Sequence, residues 1–208
     1  MAGFFIAFEG PEGTGKTTQV KNVAEVLRTA TGREVVVTRE PGGSPLAEEI
    51  RGIILGGRAK GAGPTVELML FNAARLAHLN EIILPAVARG AIVITDRYWD
   101  STMAYQCRPH GLEAVEASMR EILLSQTDGR ARPDMTISLQ ADREVRLARR
   151  SKRGVTDRFE AEDAVFHDAV ADAYAEIAIE QGSTVIDANG TMDEITRDCV
   201  AAILSRLK

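Results

Sequence analysis

Apolar residues fall into two alternating patterns along this chain: short unbroken runs, and longer stretches in which they recur every third or fourth position. The runs lie at residues 4–8, 35–37, 92–96, 135–139 and 184–186. Each is short and rich in β-branched or aromatic residues, which predicts strands buried on both faces. Amphipathic helices run between them. Val20, Val23 and Leu27 mark the first, which Gly32 closes. Ser44 as N-cap and Pro45 at the first helical position open the second, with Leu46, Ile50, Ile53 and Ile54 on its buried face. Residues 65–89 form a long amphipathic stretch, apolar at Val66, Met69, Leu70, Ala73, Leu76, Ala77, Ile82 and Ile83, which Pro85 should kink or interrupt near its end. Helices are also expected over 112–124, 143–150 and 161–181, and Thr191 with Glu194 forms a capping box that opens the last one. Five buried strands alternating with helices predict an α/β fold, a doubly wound five-stranded parallel sheet with helices on both faces.

Composition narrows this picture in three ways. The chain has 208 residues, 45% of them hydrophobic, which suits a single domain over 1–208 with a sizeable core. Its net charge of −5 argues against a nucleic acid polymer as partner, while a small phosphorylated ligand needs only local positive charge. Cys107 and Cys199 make no disulfide framework, and no Cys/His cluster has metal-ligand spacing. No apolar run reaches the length of a membrane span, and residues 3–8 are too short for a signal-sequence core, so a cytoplasmic protein without a membrane partner is expected.

Chemistry enters at residues 10–17. Gly10-Pro11-Glu12-Gly13-Thr14-Gly15-Lys16-Thr17 fits the phosphate-binding pattern G-x-x-x-x-G-K-[ST], and it stands between a predicted strand and a predicted helix. The glycines let the backbone wrap close to an anion and point N–H groups at it, and the helix N-terminus faces the same charge. Lys16 should carry its charge, facing solvent until nucleotide binds, to the β- and γ-phosphates. The Thr17 hydroxyl is placed to hold Mg²⁺. Ligands of open α/β sheets sit at the C-terminal edge of the strands, and three more groups fall there. Arg39 ends the second strand ahead of Pro41-Gly42-Gly43; Asp96 ends the third, where a carboxylate acts on the metal or its waters; Arg97 follows it. Arg149, Arg150, Lys152, Arg153 and Arg158 cluster around Gly154, and in a net-acidic chain this segment, about 149–158, reads as a flexible lid over phosphates. On pattern alone Phe71 reads as core, Arg75 as a solvated charge and His78 as an ordinary surface or partly buried histidine. The glycine-rich residues 56–63 read as a mobile surface loop.

Several separated motifs together resemble the thymidylate kinase family along nearly the whole chain. They are Phe8-Glu9-Gly10 through Lys16-Thr17-Thr18, Thr38-Arg39-Glu40-Pro41-Gly42-Gly43, Glu67-Leu68-Met69-Leu70-Phe71 with Arg75, Asp96-Arg97-Tyr98, and Ser101 with Tyr105-Gln106. The resemblance implies a homodimeric, Mg²⁺-dependent enzyme that moves the γ-phosphate of ATP to dTMP, giving dTDP and ADP for dTTP synthesis. It implies that Phe71 stacks on thymine and Arg75 hydrogen-bonds it, that Arg39 and Arg97 hold the dTMP phosphate, and that Glu12 reads the sugar 3′-hydroxyl. Tyr105 would lie against the deoxyribose and crowd out a 2′-hydroxyl, with Ser101 and Gln106 near the base and Pro41 and Arg51 completing that site. ATP would lie on residues 10–18 with Arg149, Arg153 and Ala188, the last bordering adenine. Lys16, Arg97, Arg153 and Glu12 would form the catalytic group. An acceptor phosphate is already ionised near neutral pH, so no general base is required.

Residues 11–14 contain no arginine while the basic segment has several, which resembles the class of the family that supplies its arginine from the lid. Two departures bear on the sugar side and on fine substrate preference. Gln140 stands where the family usually has an aspartate, and Cys107 replaces a glycine. Two alternatives remain at this level. One is a kinase for another pyrimidine deoxynucleoside monophosphate, dUMP or a 5-modified one, since stacking on Phe71 tolerates any pyrimidine and one methyl contact discriminates by only about 1–3 kcal/mol. The other is a nucleotide-binding switch without transfer activity, weakened by the lack of any Asn-Lys-x-Asp stretch.

Overall fold

The structure is a computed structural model that describes residues 2–56, 58–59, 61–153, 159 and 161–207, with Arg153 described in its backbone alone. Five strands form one parallel sheet: β1 (Phe4–Glu9), β2 (Val35–Arg39), β3 (Ile92–Asp96), β4 (Met135–Gln140) and β5 (Thr184–Asp187), in the order β2-β3-β1-β4-β5. The described helices are α1 (Lys16–Thr31), α2 (Pro45–Leu55), α3 (Pro64–His78), α4 (Leu84–Ala88), α5 (Trp99–Thr102), α6 (Glu113–Gln126), α7 (Arg143–Arg153), α8 (Ala164–Gln181) and α9 (Met192–Arg206).

Alternation along β1 explains the two layers. Ile6 and Phe8 face one side, where Val20, Val23 and Leu27 of α1 and Ile195, Cys199 and Ile203 of α9 cover them. Phe5 and Ala7 face the other, against Leu79, Ile83, Trp99 and Leu123. Each of these large side chains is almost wholly buried, which stabilises the fold by roughly 1.5–3 kcal/mol apiece. A sheet apolar on both faces needs helices on both, so the doubly wound arrangement follows from the strands themselves.

The interruption expected near Pro85 is present, and four other local expectations are corrected. The stretch 65–89 is not one helix: α3 passes into a π-helical segment, Leu79–Ile83, and then into α4. Pro85 has no N–H for the carbonyl four residues back and its ring crowds that carbonyl, so the widened turn just before it absorbs the conflict. Ser44 makes no side-chain cap bond, and its hydroxyl is buried without a partner. The start of α2 is held instead by Glu48, whose Oε1 accepts the Gly43 N–H at 2.8 Å. Leu46, Ile53, Val66 and Met69 are exposed rather than buried, because α2 and α3 pack through the small residues Ala47, Ala74 and Ala77. Val165 and Ile179 of α8 are exposed as well. Within the glycine-rich loop Ala59 is buried, while Gly57 and Lys60 lie outside the described residues.

Candidate functional site

Register brings the site together. Phe8 pairs with Asp96 and Asp96 with Arg39, so β1, β2 and β3 end at one level. Around that edge opens a cleft of about 630 Å³. The loop after β1 forms its floor. Gly10 is required by contact: a Cβ there would lie 2.3 Å from the Leu139 carbonyl oxygen. Gly15 is required by conformation, since it caps α1 in the left-handed region at φ 89°.

Lys16 does not face solvent. It is 6% exposed, and its Nζ donates to the Pro11 carbonyl at 2.9 Å. Burial, and after it the positive charge of Arg97, push its pKa down to about 8. The loop thus folds its own lysine onto itself, and the charges of Glu12, Asp96 and Glu9 only partly offset its burial. Thr14 Oγ1 donates to the same carbonyl at 2.9 Å. Thr17 Oγ1 donates to Asp96 Oδ2 at 2.5 Å, which puts the two predicted metal-side oxygens in direct contact. A hydroxyl and a carboxylate are hard oxygen donors and suit Mg²⁺, which takes its remaining ligands from water and phosphates.

Arg97 projects into the cleft from an unusual backbone. Its φ is 74°, in the left-handed region, directly after the last residue of β3. Its guanidinium pairs with Glu12, and Nη1 donates to Tyr174 Oη at 2.8 Å and to Ser101 Oγ at 3.2 Å. Burial works against the charge, yet Tyr105, Tyr174, Glu12 and Asp96 hold its pKa well above the ordinary arginine value.

Arg75 overturns the solvated reading. It is 2% exposed, with Nε on Glu40 Oε2 at 2.7 Å and Nη2 on the Tyr98 carbonyl at 3.1 Å and Thr102 Oγ1 at 2.9 Å. His78 is fully buried too, bridging Glu40 Oε1 at 3.0 Å and Thr38 Oγ1 at 2.6 Å. Burying a guanidinium is tolerable only with such partners, and its Nη1 lies 3.5 Å from Asn72 Oδ1 and 3.9 Å from Glu116 Oε1. Phe71 is buried yet lines the cleft, 6.3 Å between ring centroids from Phe159. Tyr105 and Gln106 lie on a second π-helical segment, Met103–Cys107, and both line the cleft. Tyr105 packs edge-on to Phe159 and Tyr174. Arg39 pairs with Glu48 at 2.9 Å, and Arg51 Nη1 donates to the Pro41 carbonyl at 2.7 Å.

On the α7 side, Arg149 Nη1 donates to the Ala188 carbonyl at 2.7 Å and Nη2 to that of Gly190 at 3.1 Å. Arg149 and Arg150 line the cleft; Ala188, fully buried, does not, and neither do Gly10 and Pro11. The side chain of Arg153 and all of Gly154 and Arg158 lie outside the described residues. The remaining expected site residues, Glu12, Gly13, Thr14, Gly15, Lys16, Thr17, Thr18, Pro41 and Ser101, line one cleft with Arg39, Arg51, Phe71, Arg75, Asp96, Arg97, Tyr105 and Gln106.

Sequence reasoning missed Glu9, Glu40, Phe159 and Tyr174. Glu9 carried a usable signal, an acid ending a buried strand, the same signal that singled out Asp96. Tyr174 carried none, since it shares a helix face with Val170 and Ile177 and reads as core.

The family profile described as thymidylate kinase matches residues 8–199. The chain is 42% identical to the thymidylate kinase of Ectopseudomonas mendocina (strain ymp), with 100% of this chain and 98% of that protein covered. It is 49% identical to the thymidylate kinase of Pseudomonas fluorescens (strain SBW25), covering 84% of this chain and 81% of that one. Its fold is similar to the crystal structure of thymidylate kinase from Ehrlichia chaffeensis, with a TM-score of 0.77 and 29% identity over 98% of this chain and 100% of that chain.

Proposed function

The chain belongs to the thymidylate kinase family and transfers a phosphoryl group from ATP to dTMP, and from that premise we propose which residues carry the reaction. Neither a different pyrimidine monophosphate as the favoured acceptor nor a switch without transfer is favoured by this membership. The observation that carries the assignment is the single cleft joining the phosphate loop to Arg97, Arg75 and Phe71. Donor and acceptor phosphates can then meet with their reacting atoms held in line.

Phe71 stacks on thymine, with Phe159 against it, and Arg75 offers Nη1 to the base. Arg97 and Arg39 take the dTMP phosphate, displacing the carboxylates of Glu12 and Glu48 that pair with them in the structure. Glu12, turned from Arg97, then reads the sugar 3′-hydroxyl. Tyr105, with Ser101 and Gln106, shapes the sugar and base walls, and Pro41 and Arg51 close the site beside Arg39. The ATP phosphates lie on the loop from Gly10 to Thr18, where they add negative charge beside buried Lys16. Thr17 and Asp96 would hold Mg²⁺, which neutralises charge on the transferring phosphates. The acceptor oxygen arrives ionised, so no residue is asked to remove a proton. Catalysis is positioning and charge neutralisation by Lys16, Arg97, Glu12 and an arginine of the lid, Arg153 in the first instance.

The lid is the segment about 149–158 of one kinase domain spanning the chain. Arg149, on the carbonyls of Ala188 and Gly190, ties its base to the loop proposed to border adenine. A homodimer is supported by the exposed apolar side chains of α2 and α3, Leu46, Ile53, Val66 and Met69. The cytoplasm is the proposed location; among the described residues no helix is long and apolar enough to cross a membrane. Turnover of dTMP, dUMP and dCMP with ATP and Mg²⁺ tests the assignment: dTMP should have the highest kcat/KM, and equal values for all three would overturn the base-reading roles of Phe71 and Arg75.

A further inference from the structure

We infer that Glu9, the last residue of β1, is a positioning residue for Arg97, fixing both the backbone turn and the hydroxyl pair that aim its guanidinium at the acceptor phosphate. The inference rests on the proposed phosphate-holding role of Arg97.

A non-glycine residue at φ 74° is strained and persists only where its surroundings over-determine it. Part of that hold is visible at Arg97 itself: its N–H donates to the Phe8 carbonyl at 2.9 Å, and its own carbonyl accepts from Thr95 Oγ1 at 3.0 Å. The rest comes from Glu9. Its side chain is fully buried and its Oε1 accepts the N–H groups of Tyr98 at 2.7 Å and Ser101 at 3.2 Å, pinning the chain immediately after the left-handed residue. Its other oxygen accepts from Ser101 Oγ at 2.7 Å and lies 3.4 Å from Tyr174 Oη. Those two hydroxyls are 2.6 Å apart and both accept from Arg97 Nη1. An acceptor-only carboxylate draws the hydroxyl protons toward itself and leaves the oxygen lone pairs for the guanidinium. One buried carboxylate therefore sets the backbone of Arg97 from one oxygen and its side chain from the other. The same carboxylate does not line the cleft, so it reaches ligand only through the residues it holds, and the acceptor phosphate through Arg97.

Glu9→Gln keeps the shape and, with its amide oxygen on the Tyr98 and Ser101 N–H groups, the backbone contacts, but its N–H₂ then donates to the Ser101 and Tyr174 hydroxyls and competes with Arg97 Nη1 for their lone pairs. Binding of dTMP and of thymidine, measured by calorimetry, separates positioning from general damage because thymidine has no phosphate for Arg97. The variant is expected to bind dTMP about tenfold more weakly and thymidine within twofold of the parent. In an Arg97→Ala background the same change should add nothing to the loss of dTMP affinity. Equal losses for both ligands, or an undiminished loss in the Arg97→Ala background, would overturn the inference. A clear effect of Arg97→Ala with none from Glu9→Gln overturns it alone. No effect of Arg97→Ala on dTMP overturns the role of Arg97, and the inference with it. Should Glu9→Gln fail to fold, Tyr174→Phe removes a hydroxyl between Glu9 and Arg97 that does not line the cleft, without touching the backbone contacts of Glu9. The same selective loss of dTMP over thymidine is then expected, and its absence counts against the inference.

Discussion

The two halves of the cleft treat arginine in opposite ways. On the proposed dTMP side, Arg75 and Arg97 are buried or nearly so and held by several groups each, carboxylates among them. On the α7 side, Arg149 rests on two backbone carbonyls, Arg150 has His167 Nε2 at 2.8 Å among its contacts, and the cationic run 149–153 closes the helix. The difference fits two tasks. A guanidinium that reads a ground-state ligand gains from being fixed, because its ordering entropy is spent in folding rather than in binding. One that stabilises charge developing on a moving phosphoryl group gains from arriving late, since only interactions stronger in the transition state accelerate the step. Carboxylate partners suit the first task also because an incoming phosphate replaces like with like.

The largest test removes the group that both halves share. Lys16→Ala should abolish nearly all transfer, by roughly 10³-fold or more, at saturating ATP. Its fold should survive. A lysine whose pKa falls to about 8 on folding makes the folded state less stable below pH 8, and that loss is recovered as pH rises from about 8 toward the ordinary 10.5. The melting temperature at pH 7 should therefore not fall in the variant. Near-parental turnover would break the reading of the whole cleft.

Next comes the division of labour itself. Arg153→Ala should lower kcat by about 10²-fold or more while leaving the KM for dTMP almost unchanged, because fixed arginines hold the monophosphate. Single-turnover rates for alanine variants at Arg149, Arg153 and Arg158 would show which lid guanidinium acts. If all three keep the parental rate and only ATP affinity falls, the lid is an electrostatic funnel and the contrast between the halves dissolves.

A smaller effect sharpens the fixed half. Tyr105→Ala should narrow the preference for dTMP over its ribose counterpart by about tenfold in the ratio of kcat/KM values, if the ring excludes a 2′-hydroxyl. An unmoved ratio would make Tyr105 a packing residue for Phe159 and Tyr174.

The smallest concerns stability alone. Asp100 lies beside Glu9 behind the fixed half, and burial, followed by the charge of Glu9, pushes its pKa up to about 7. A carboxyl whose folded pKa exceeds its unfolded value of 3.8 makes the protein lose stability as pH rises from about 4 to about 7. Asp100→Asn should remove that decline and stabilise the protein at pH 8, by on the order of 1 kcal/mol, with little gain at pH 4. Urea titrations at the two pH values would show it, and an equal change at both would place the effect in packing.

Much of the fold and of the phosphate side was legible from pattern. Runs such as residues 4–8 and 92–96 could only be buried strands, and the loop 10–17 was readable because glycine, lysine and threonine act there through spacing along a single segment. The misreadings share a cause. Ser44 looked like a cap and Arg75 like a surface charge because each was judged by its neighbours in sequence, while Glu48 and Glu40 decided both. Leu46 and Met69 look like core on a helical wheel, but small alanines at the α2–α3 contact leave them outside.

The sequence alone determined the α/β class, the five strands and the phosphate loop, because hydrophobic periodicity and local turn chemistry act over a few residues. Only the tertiary structure decided that Glu9, Arg97, Ser101 and Tyr174 form one unit, since Glu9 and Tyr174 are 165 positions apart. It also decided that Arg75 is buried and that Lys16 lies on its own loop. Pairing a charge with a distant carboxylate, and the pKa that follows, depends on distance and solvent exclusion through space, and neither is written in the order of residues along the chain.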